Sequence, residues 1–583
     1  MKRLASTIAT IWRLAAPYFR SDDRWAGIAL LGVVAGIELS LVAIQVVLNL
    51  WYSRFYNTLQ DRDWNAFVSA ILFFCVLAAV YTVFSVYQTY FNQWLQIRWR
   101  RWMTQVYLRQ WLQAATHYRM QLLGDAADNP DQRIAEDLKL FVDRTLSIGT
   151  RLLNACATLC SFVIILWTLS AAAPLHLFSS HISIPGYLVW AALAYAVIGT
   201  ALTHLIGWPL IPLNFQQQRF EADFRFNLVR TRENAEQIAA LRGEASEREH
   251  HLNRFGLVIG NWLAIMQRQK FLSFFTHSYT QAAVIFPYLL ASPAYFAGAI
   301  QLGGLVQTAA AFNSVQTALS YFVNIYVELA EYRAVIARLS GFEAAVAASH
   351  AAAVAEDAVT VVPHDEDHGA FAIKQLNVRL PKGEPILDAG PMAFRAGERV
   401  LITGPSGSGK STLLRAITGI WPFGSGHVIM PRDARVMLLP QRPYFPVATL
   451  AAAVGYPAPA GTFDNARVAE ALNAVGLREL VPRLDEEAHW NRMLSLGEQE
   501  RLAIARALLH EPDYLFLDEA TASLDEPAEA ALYRLLHERL KGATIVSIGH
   551  RSTLHAFHNR RVELVADDNV YQVQEVALVS AAE

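Results

Sequence analysis

The sequence predicts two folds in one polypeptide: an all-α domain of six membrane-spanning helices, followed by an α/β domain built around a phosphate-binding loop. Three observations carry this. Residues 26–340 hold six apolar runs near the length of one bilayer crossing, about twenty residues each. From residue 371 the texture changes to short β-type runs alternating with helical ones. Residues 404–412 read Gly404-Pro405-Ser406-Gly407-Ser408-Gly409-Lys410-Ser411-Thr412, a complete GxxxxGK[ST] pattern with a buried-type strand before it and a helical run after it.

Composition agrees. Of 583 residues 54% are hydrophobic and 17% charged, more apolar material than a soluble fold can hide. The net charge of −2 supplies no basic field, so nucleic acid is not expected as a partner. Cys75, Cys156 and Cys160 sit in apolar stretches and form neither a disulfide framework nor a CxxC pair, so they read as small packing residues.

Residues 1–25 place Lys2, Arg3, Arg13, Arg20 and Arg24 among apolar residues. Arg13 and Pro17 interrupt the apolar core a secretory signal needs, and an amphipathic helix on the membrane surface fits better. The expected spans are 26–50, 66–91, 152–169, 184–205, 271–296 and 305–329. The last two are more polar: Thr280, Gln281, Asn313 and Gln316 cost little only where they face a wet interior. Glu38 is the one carboxylate near the middle of the first span. It reads either as a group for substrate contact or proton coupling, or as a helix-pairing residue. Gly32 and Gly36 before it fit close helix packing. Trp51, Trp167, Trp190 and Trp208 near span ends read as interface anchors.

Basic residues set the orientation. Arg98, Arg100, Arg101, Arg109 and Arg119 follow the second span, and nine Lys or Arg from Arg219 to Lys270 separate the fourth from the fifth. The connections at 170–183 and 297–304 contain none. The positive-inside rule then puts both termini and the C-terminal domain in the cytoplasm. The two basic segments are rich in helix formers and read as membrane helices continuing past the bilayer. Residues 341–370, Ala-rich and then polar, read as a linker, 371–575 as the α/β domain and 576–583 as a tail.

In the phosphate loop, backbone N–H groups and the helix N-terminus favour phosphate. Lys410 supplies charge for the β- and γ-phosphates of ATP, and Ser411 a ligand for Mg²⁺. A second buried-type strand, Tyr514-Leu515-Phe516-Leu517, delivers Asp518 and Glu519 at its tip. Asp518 is then a Mg²⁺ ligand, and Glu519 a base for the attacking water.

Between these strands lies Leu494-Ser495-Leu496-Gly497-Glu498-Gln499, which resembles the signature of ABC ATPases, and residues 371–575 as a whole resemble an ABC nucleotide-binding domain. The resemblance implies a Q-loop at Gln441, which also reaches the metal, a D-loop at Ser523-Leu524-Asp525 and a switch histidine at His550. It further implies that Ser495 and Gly497 act on ATP bound by a second copy, so that the working unit is a homodimer. Leu496 replaces a glycine of the usual signature. Leu380 stands where the family carries an adenine-stacking aromatic, leaving Phe371 as the nearby substitute.

In the membrane half, residues 129–137 (Asn-Pro-Asp-Gln-Arg-Ile-Ala-Glu-Asp) and the run Asn234 to Glu244 resemble motifs of peroxisomal subfamily D half-transporters and SbmA/BacA-like bacterial ATP-binding permeases. That resemblance implies an exporter-type ABC fold in the bacterial inner membrane, with short cytoplasmic helices docking on the ATPase. The bacterial relatives imply uptake of bulky hydrophilic solutes such as peptides or a cobalamin-like vitamin, the peroxisomal ones transport of fatty acids or acyl-CoA. An ATP-gated channel uses the same ATPase.

Overall fold

A computed structural model describes residues 2–124, 129–172, 185–355, 357–364, 370–567 and 570–576. Most of the expected connection at 170–183 and nearly all of the tail at 576–583 lie outside the described residues. The chain divides into two compact units, Met1–Val106 with Asp131–Leu339, and Tyr107–Pro130 with Ser340–Glu583.

Among the described residues the first unit has helices as its only regular elements. A backbone in lipid must satisfy its own hydrogen bonds, and long helices do so without partners. Among the described residues, Arg24–Gln60, Trp64–Leu123, Pro130–Ala172 and Tyr187–Gly207 are long and apolar enough to cross a membrane. The fifth and sixth expected spans lie within Glu244–Phe296 and Leu302–Ala353, helices of 53 and 52 residues whose polar side chains dilute their hydropathy. Phe162, Leu166, Leu188, Phe312 and Val315 form a packed layer among three of these helices. Tyr195 and Tyr279 stack at 4.5 Å, and each hydroxyl donates to the other's carbonyl, at 2.6 and 3.0 Å.

Four readings of local sequence need correction. The three cysteines are exposed, not packed. A Cβ at Gly32 or Gly36 would meet nothing within 4 Å. The close approach is at Gly303 instead, where a Cβ would lie 2.0 Å from the Ser53 carbonyl oxygen. Trp51 is no interface anchor: it is 9% exposed, stacks on Phe55 at 4.6 Å and donates to the Ala70 carbonyl at 2.8 Å. Finally, the expected linker at 341–370 carries regular structure where it is described, residues 356 and 365–369 lying outside the described residues. The last long helix continues to Ala353, and Val359–His364 pairs in parallel with Gly424–Pro431. Alanine is the best helix former, so an Ala-rich run after a helix extends it.

The second unit holds an eleven-stranded sheet. Five strands are parallel neighbours in the order Val436–Leu439, Tyr514–Asp518, Thr544–Ile548, Arg399–Thr403, Arg560–Asp567. Tyr514–Asp518 and Thr544–Ile548 are buried throughout, the run of apolar residues that a two-sided sheet requires. The helix Thr116–Leu123 also belongs to this unit, and its Tyr118 and Leu122 pack against the sheet's apolar cluster. The helix Ala235–Ala240, the other candidate for docking, buries none of its residues, and Leu241 beside it is 82% exposed.

Candidate functional site

Because neighbouring strands run parallel, their C-terminal tips share one edge of the sheet, where ligands bind in open α/β folds. Four adjacent tips carry predicted residues: Gln441 beyond Val436–Leu439, Asp518 and Glu519 at the end of Tyr514–Asp518, His550 beyond Thr544–Ile548, and the loop Gly404 to Gly409 after Arg399–Thr403. Residues more than a hundred positions apart in the chain thus converge through topology alone.

The loop needs its glycines. Gly404, Gly407 and Gly409 have φ of 147°, 82° and 88°, and a Cβ at Gly409 would meet Ile386 at 2.7 Å. Lys410, at the start of the helix Lys410–Ile417, is buried, and its Nζ donates to the carbonyls of Gly404 and Pro405 at 2.9 and 2.8 Å. Burial lowers its pKa, against the pull of the Glu519 and Asp518 carboxylates. The Ser408 hydroxyl is buried inside the loop without a hydrogen-bond partner, an orphan polar group in the phosphate loop. Ser406 is exposed, and Thr412 lies one turn into the helix.

Ser411 Oγ donates to Asp518 Oδ1 at 2.7 Å. Burial raises the Asp518 pKa, which the Ser411 hydrogen bond partly offsets. Glu519 takes the left-handed backbone conformation at φ 51°, rare without glycine. Its two oxygens are held separately, Oε2 by Gln441 Nε2 at 2.9 Å and Oε1 by His550 Nε2 at 3.1 Å. Strain at such a position marks functional sites.

The signature residues are built differently. Ser495 caps the helix Leu496–His510 in a reciprocal capping box: its Oγ accepts from the Glu498 amide at 3.4 Å, while Glu498 Oε2 accepts from the Ser495 amide and hydroxyl, each at 2.7 Å. The two Ser495 donors hold the Glu498 pKa down. Asp525 likewise caps Glu526–Arg539, accepting from the Ala528 amide at 2.9 Å. Gly497 has Leu524 at 3.2 Å from its would-be Cβ. Among the described residues, Ser495, Gly497 and Asp525 share no hydrogen bond with the loop at 404–412.

Sequence reasoning missed two groups that position the D-loop. Glu500, buried on the signature helix, accepts from the Ser523 amide at 3.0 and 3.1 Å. Arg551 donates to the carbonyls of Leu524 and Ala522 at 2.7 and 3.1 Å. Only their adjacency to the signature and to His550 hinted at them. Phe371 is not the adenine platform: it is fully buried against Phe394, Tyr514 and Phe516, while Leu380 is 39% exposed.

In the first unit, Glu38 is 7% exposed and accepts from Gln88 Nε2 at 2.6 Å and Asn154 Nδ2 at 3.1 Å. It lines a cavity of about 560 Å³ with Gln45, Asn154, Asn313, Thr317 and Arg151. Arg151 is paired with Glu328 at 3.2 Å.

Comparisons with known proteins agree with this geometry. The family model described as ABC transporter transmembrane region 2 matches residues 14–296, and that described as ABC transporter matches 387–522. The chain is similar to the inner membrane ABC transporter ATP-binding protein YddA of Escherichia coli, 32% identical over 94% of this chain and 96% of the relative. It is similar to ABC transporter D family member 2, chloroplastic, of Arabidopsis thaliana, 32% identical over 97% of this chain and 87% of the relative. Similarity extends to the lysosomal cobalamin transporter ABCD4 of Mus musculus, 26% identical over 87% and 86%. A membrane-embedded helical unit, a nucleotide-binding loop backed by paired carboxylates and full-length relatives on both counts make this chain a member of the ABC transporter family, of the subfamily D type: an ATP-hydrolysing membrane transporter.

Proposed function

We propose that two copies of this chain form a homodimeric pump in the bacterial inner membrane, with both termini and the ATPase domains cytoplasmic, that imports bulky hydrophilic solutes such as peptides or a cobalamin-like vitamin. The hydrogen-bonding side chains on the cavity wall carry the choice of solute. The amides and hydroxyls of Gln45, Asn154, Asn313 and Thr317 offer hydrogen bonds to a hydrophilic molecule, beside the apolar surface of Ala155, Ala318 and Tyr321. The cobalamin transporter among the relatives points the same way.

Dimerisation is supported by the separation of Ser495 and Gly497 from the phosphate loop of their own chain. The N-terminus of the helix Leu496–His510, through its dipole, is suited to the γ-phosphate of ATP held by a second copy. The exposed helix Ala235–Ala240 is suited to docking on that copy.

Within the site, Lys410 and the loop amides hold the β- and γ-phosphates. Glu519 orients the attacking water and accepts its proton, with His550 and Gln441 fixing the carboxylate until the γ-phosphate draws His550 to itself. Ser411, Asp518 and Gln441 form an all-oxygen donor set suited to Mg²⁺, which would neutralise charge on the β- and γ-oxygens. Closure of the dimer on ATP favours one orientation of the membrane helices, and hydrolysis releases it.

The test is ATP-dependent uptake into proteoliposomes of a labelled peptide, cobalamin and an acyl-CoA, with particle mass measured in the same preparation. Uptake of peptide or cobalamin by a dimer is expected. Uptake of acyl-CoA alone overturns the solute reading, and a strictly monomeric particle hydrolysing ATP at full rate overturns the dimer.

A further inference from the structure

The motif at residues 129–137 has no part in the ATP site, yet it ends in a buried carboxylate of the membrane unit held by two arginines. Asp137 is 1% exposed. Arg338 Nε donates to its Oδ2 at 2.9 Å and Arg338 Nη2 to its Oδ1 at 2.5 Å, a bidentate pair, and Arg133 Nη1 adds a third bond at 2.8 Å. Arg133–Asp137 forms a single π-type turn immediately before the helix Leu138–Ala172, a distortion that recurs at functional positions.

The pair sits where the chain changes unit. Asp137 lies seven residues after the crossing at 130/131, and Arg338 two residues before the crossing at 339/340. Further rungs continue between the same two helices. Phe141 stacks on Tyr332 at 6.0 Å, the Tyr332 hydroxyl bonds Thr145 Oγ1 at 2.6 Å, and Glu328 takes Arg144 at 2.7 Å and Arg151 at 3.2 Å. Those helices supply Asn154 and Thr158, and Asn313 and Thr317, to the polar cavity. On the other side of the crossings, within the second unit, Tyr107 stacks on Phe342 at 5.4 Å and donates to Glu343 Oε1 at 3.0 Å.

We propose that Asp137 and Arg338 are a positioning pair that locks Leu138–Ala172 to Leu302–Ala353, so that movement of the ATPase domain reaches both cavity-forming helices as one displacement. This rests on the reading of an ATP-driven rearrangement above. The physical reason is that a bidentate ion pair to a buried carboxylate has a single geometry and resists sliding, which non-directional apolar contacts do not impose. Without it, each helix answers the ATPase separately and hydrolysis loses its hold on the cavity. The neutral variants Asp137→Asn and Arg338→Gln remove the ion pair, and the double variant removes both charges.

The experiment uses the full chain in nanodiscs, with Cys75, Cys156 and Cys160 replaced by serine and Thr317→Cys as a reporter, since Thr317 is exposed and lines the cavity. A charged maleimide reports its accessibility with and without ATP plus vanadate. In the parent, trapping is expected to change the labelling rate by about tenfold or more, while in either single variant it changes by less than about twofold with ATP hydrolysis kept within about twofold. The double variant should be no worse than either single one, and Arg338→Lys should recover part of the change. The latch is overturned if the variants keep the parental change, or if hydrolysis and labelling change fall together. A parent whose labelling ignores nucleotide overturns the ATP-driven rearrangement itself, and the latch with it.

Discussion

His550 Nε2 and Glu519 Oε1 stand 3.1 Å apart at the tips of adjacent strands, with Glu519 in a backbone conformation that few non-glycine residues adopt. The chain's own Gln441 and His550 thus hold the carboxylate in place. Glu519→Gln keeps the shape but offers one acceptor oxygen in place of two and cannot take a proton. Steady ATP turnover is expected to fall by about 10²–10⁴-fold with nucleotide retained, read by phosphate release and by filter binding. Wild-type turnover in this variant would remove Glu519 from the proposed role.

Lys410 is the buried positive charge of the phosphate loop. Loss of a charged hydrogen bond is worth about 1.5–3 kcal/mol, so Lys410→Ala should weaken ATP binding by about 10- to 100-fold in the presence of Mg²⁺. An unchanged Kd by isothermal calorimetry counts against the phosphate assignment.

Ser495 serves as a helix cap and is proposed to meet a phosphate in the partner copy, and one substitution separates the two. Glycine replaces serine at an N-cap for only a few tenths of a kcal/mol, so Ser495→Gly should leave the melting temperature nearly unchanged while turnover falls by about tenfold or more. Parallel losses would reduce Ser495 to a cap.

His558 lies in the ATPase core, bonded to the Leu554 carbonyl at 2.7 Å and to Ser547 Oγ at 2.9 Å, and burial pushes its pKa down to about 4. The folded form binds the neutral ring while the unfolded chain protonates near pH 6.5, so this contribution is full above pH 6.5 and is lost as pH falls toward about 4. The span corresponds to about 3 kcal/mol, and His558→Gln should flatten that part of the stability profile measured by denaturant titration from pH 4.5 to 7.5.

Glu38→Gln keeps the volume beside Gln88 and Asn154 and removes the charge. Uptake of the solute found in the proteoliposome comparison, or its pH dependence, should change by about tenfold while ATP hydrolysis stays within about twofold. Equal uptake across pH returns Glu38 to a helix-pairing role.

The ATP site was legible because each part is a local string, and parallel strands then bring the strings to one edge. Gln441, Glu519 and His550 are recognisable without knowing what they touch. The membrane unit behaves oppositely. Glu38 drew notice as a lone carboxylate, but its partners Gln88 and Asn154 are 50 and 116 residues away, and nothing in their neighbourhoods announces the pairing. Arg338 finds Asp137 across 201 residues. Phe371 failed as an adenine platform because period-2 alternation gives a strand two faces without saying which is covered. The Ala-rich start of the expected linker was misread on composition, where helix propensity was the better guide.

Lys410 bonds the carbonyls of Gly404 and Pro405, and Ser411 bonds Asp518, within the chain itself. Capture of a nucleotide is therefore an exchange reaction, in which each new contact from these two side chains displaces an old one. The net gain is a difference between two well-bonded states, which keeps the cradle shaped between turnovers and lets spent nucleotide leave.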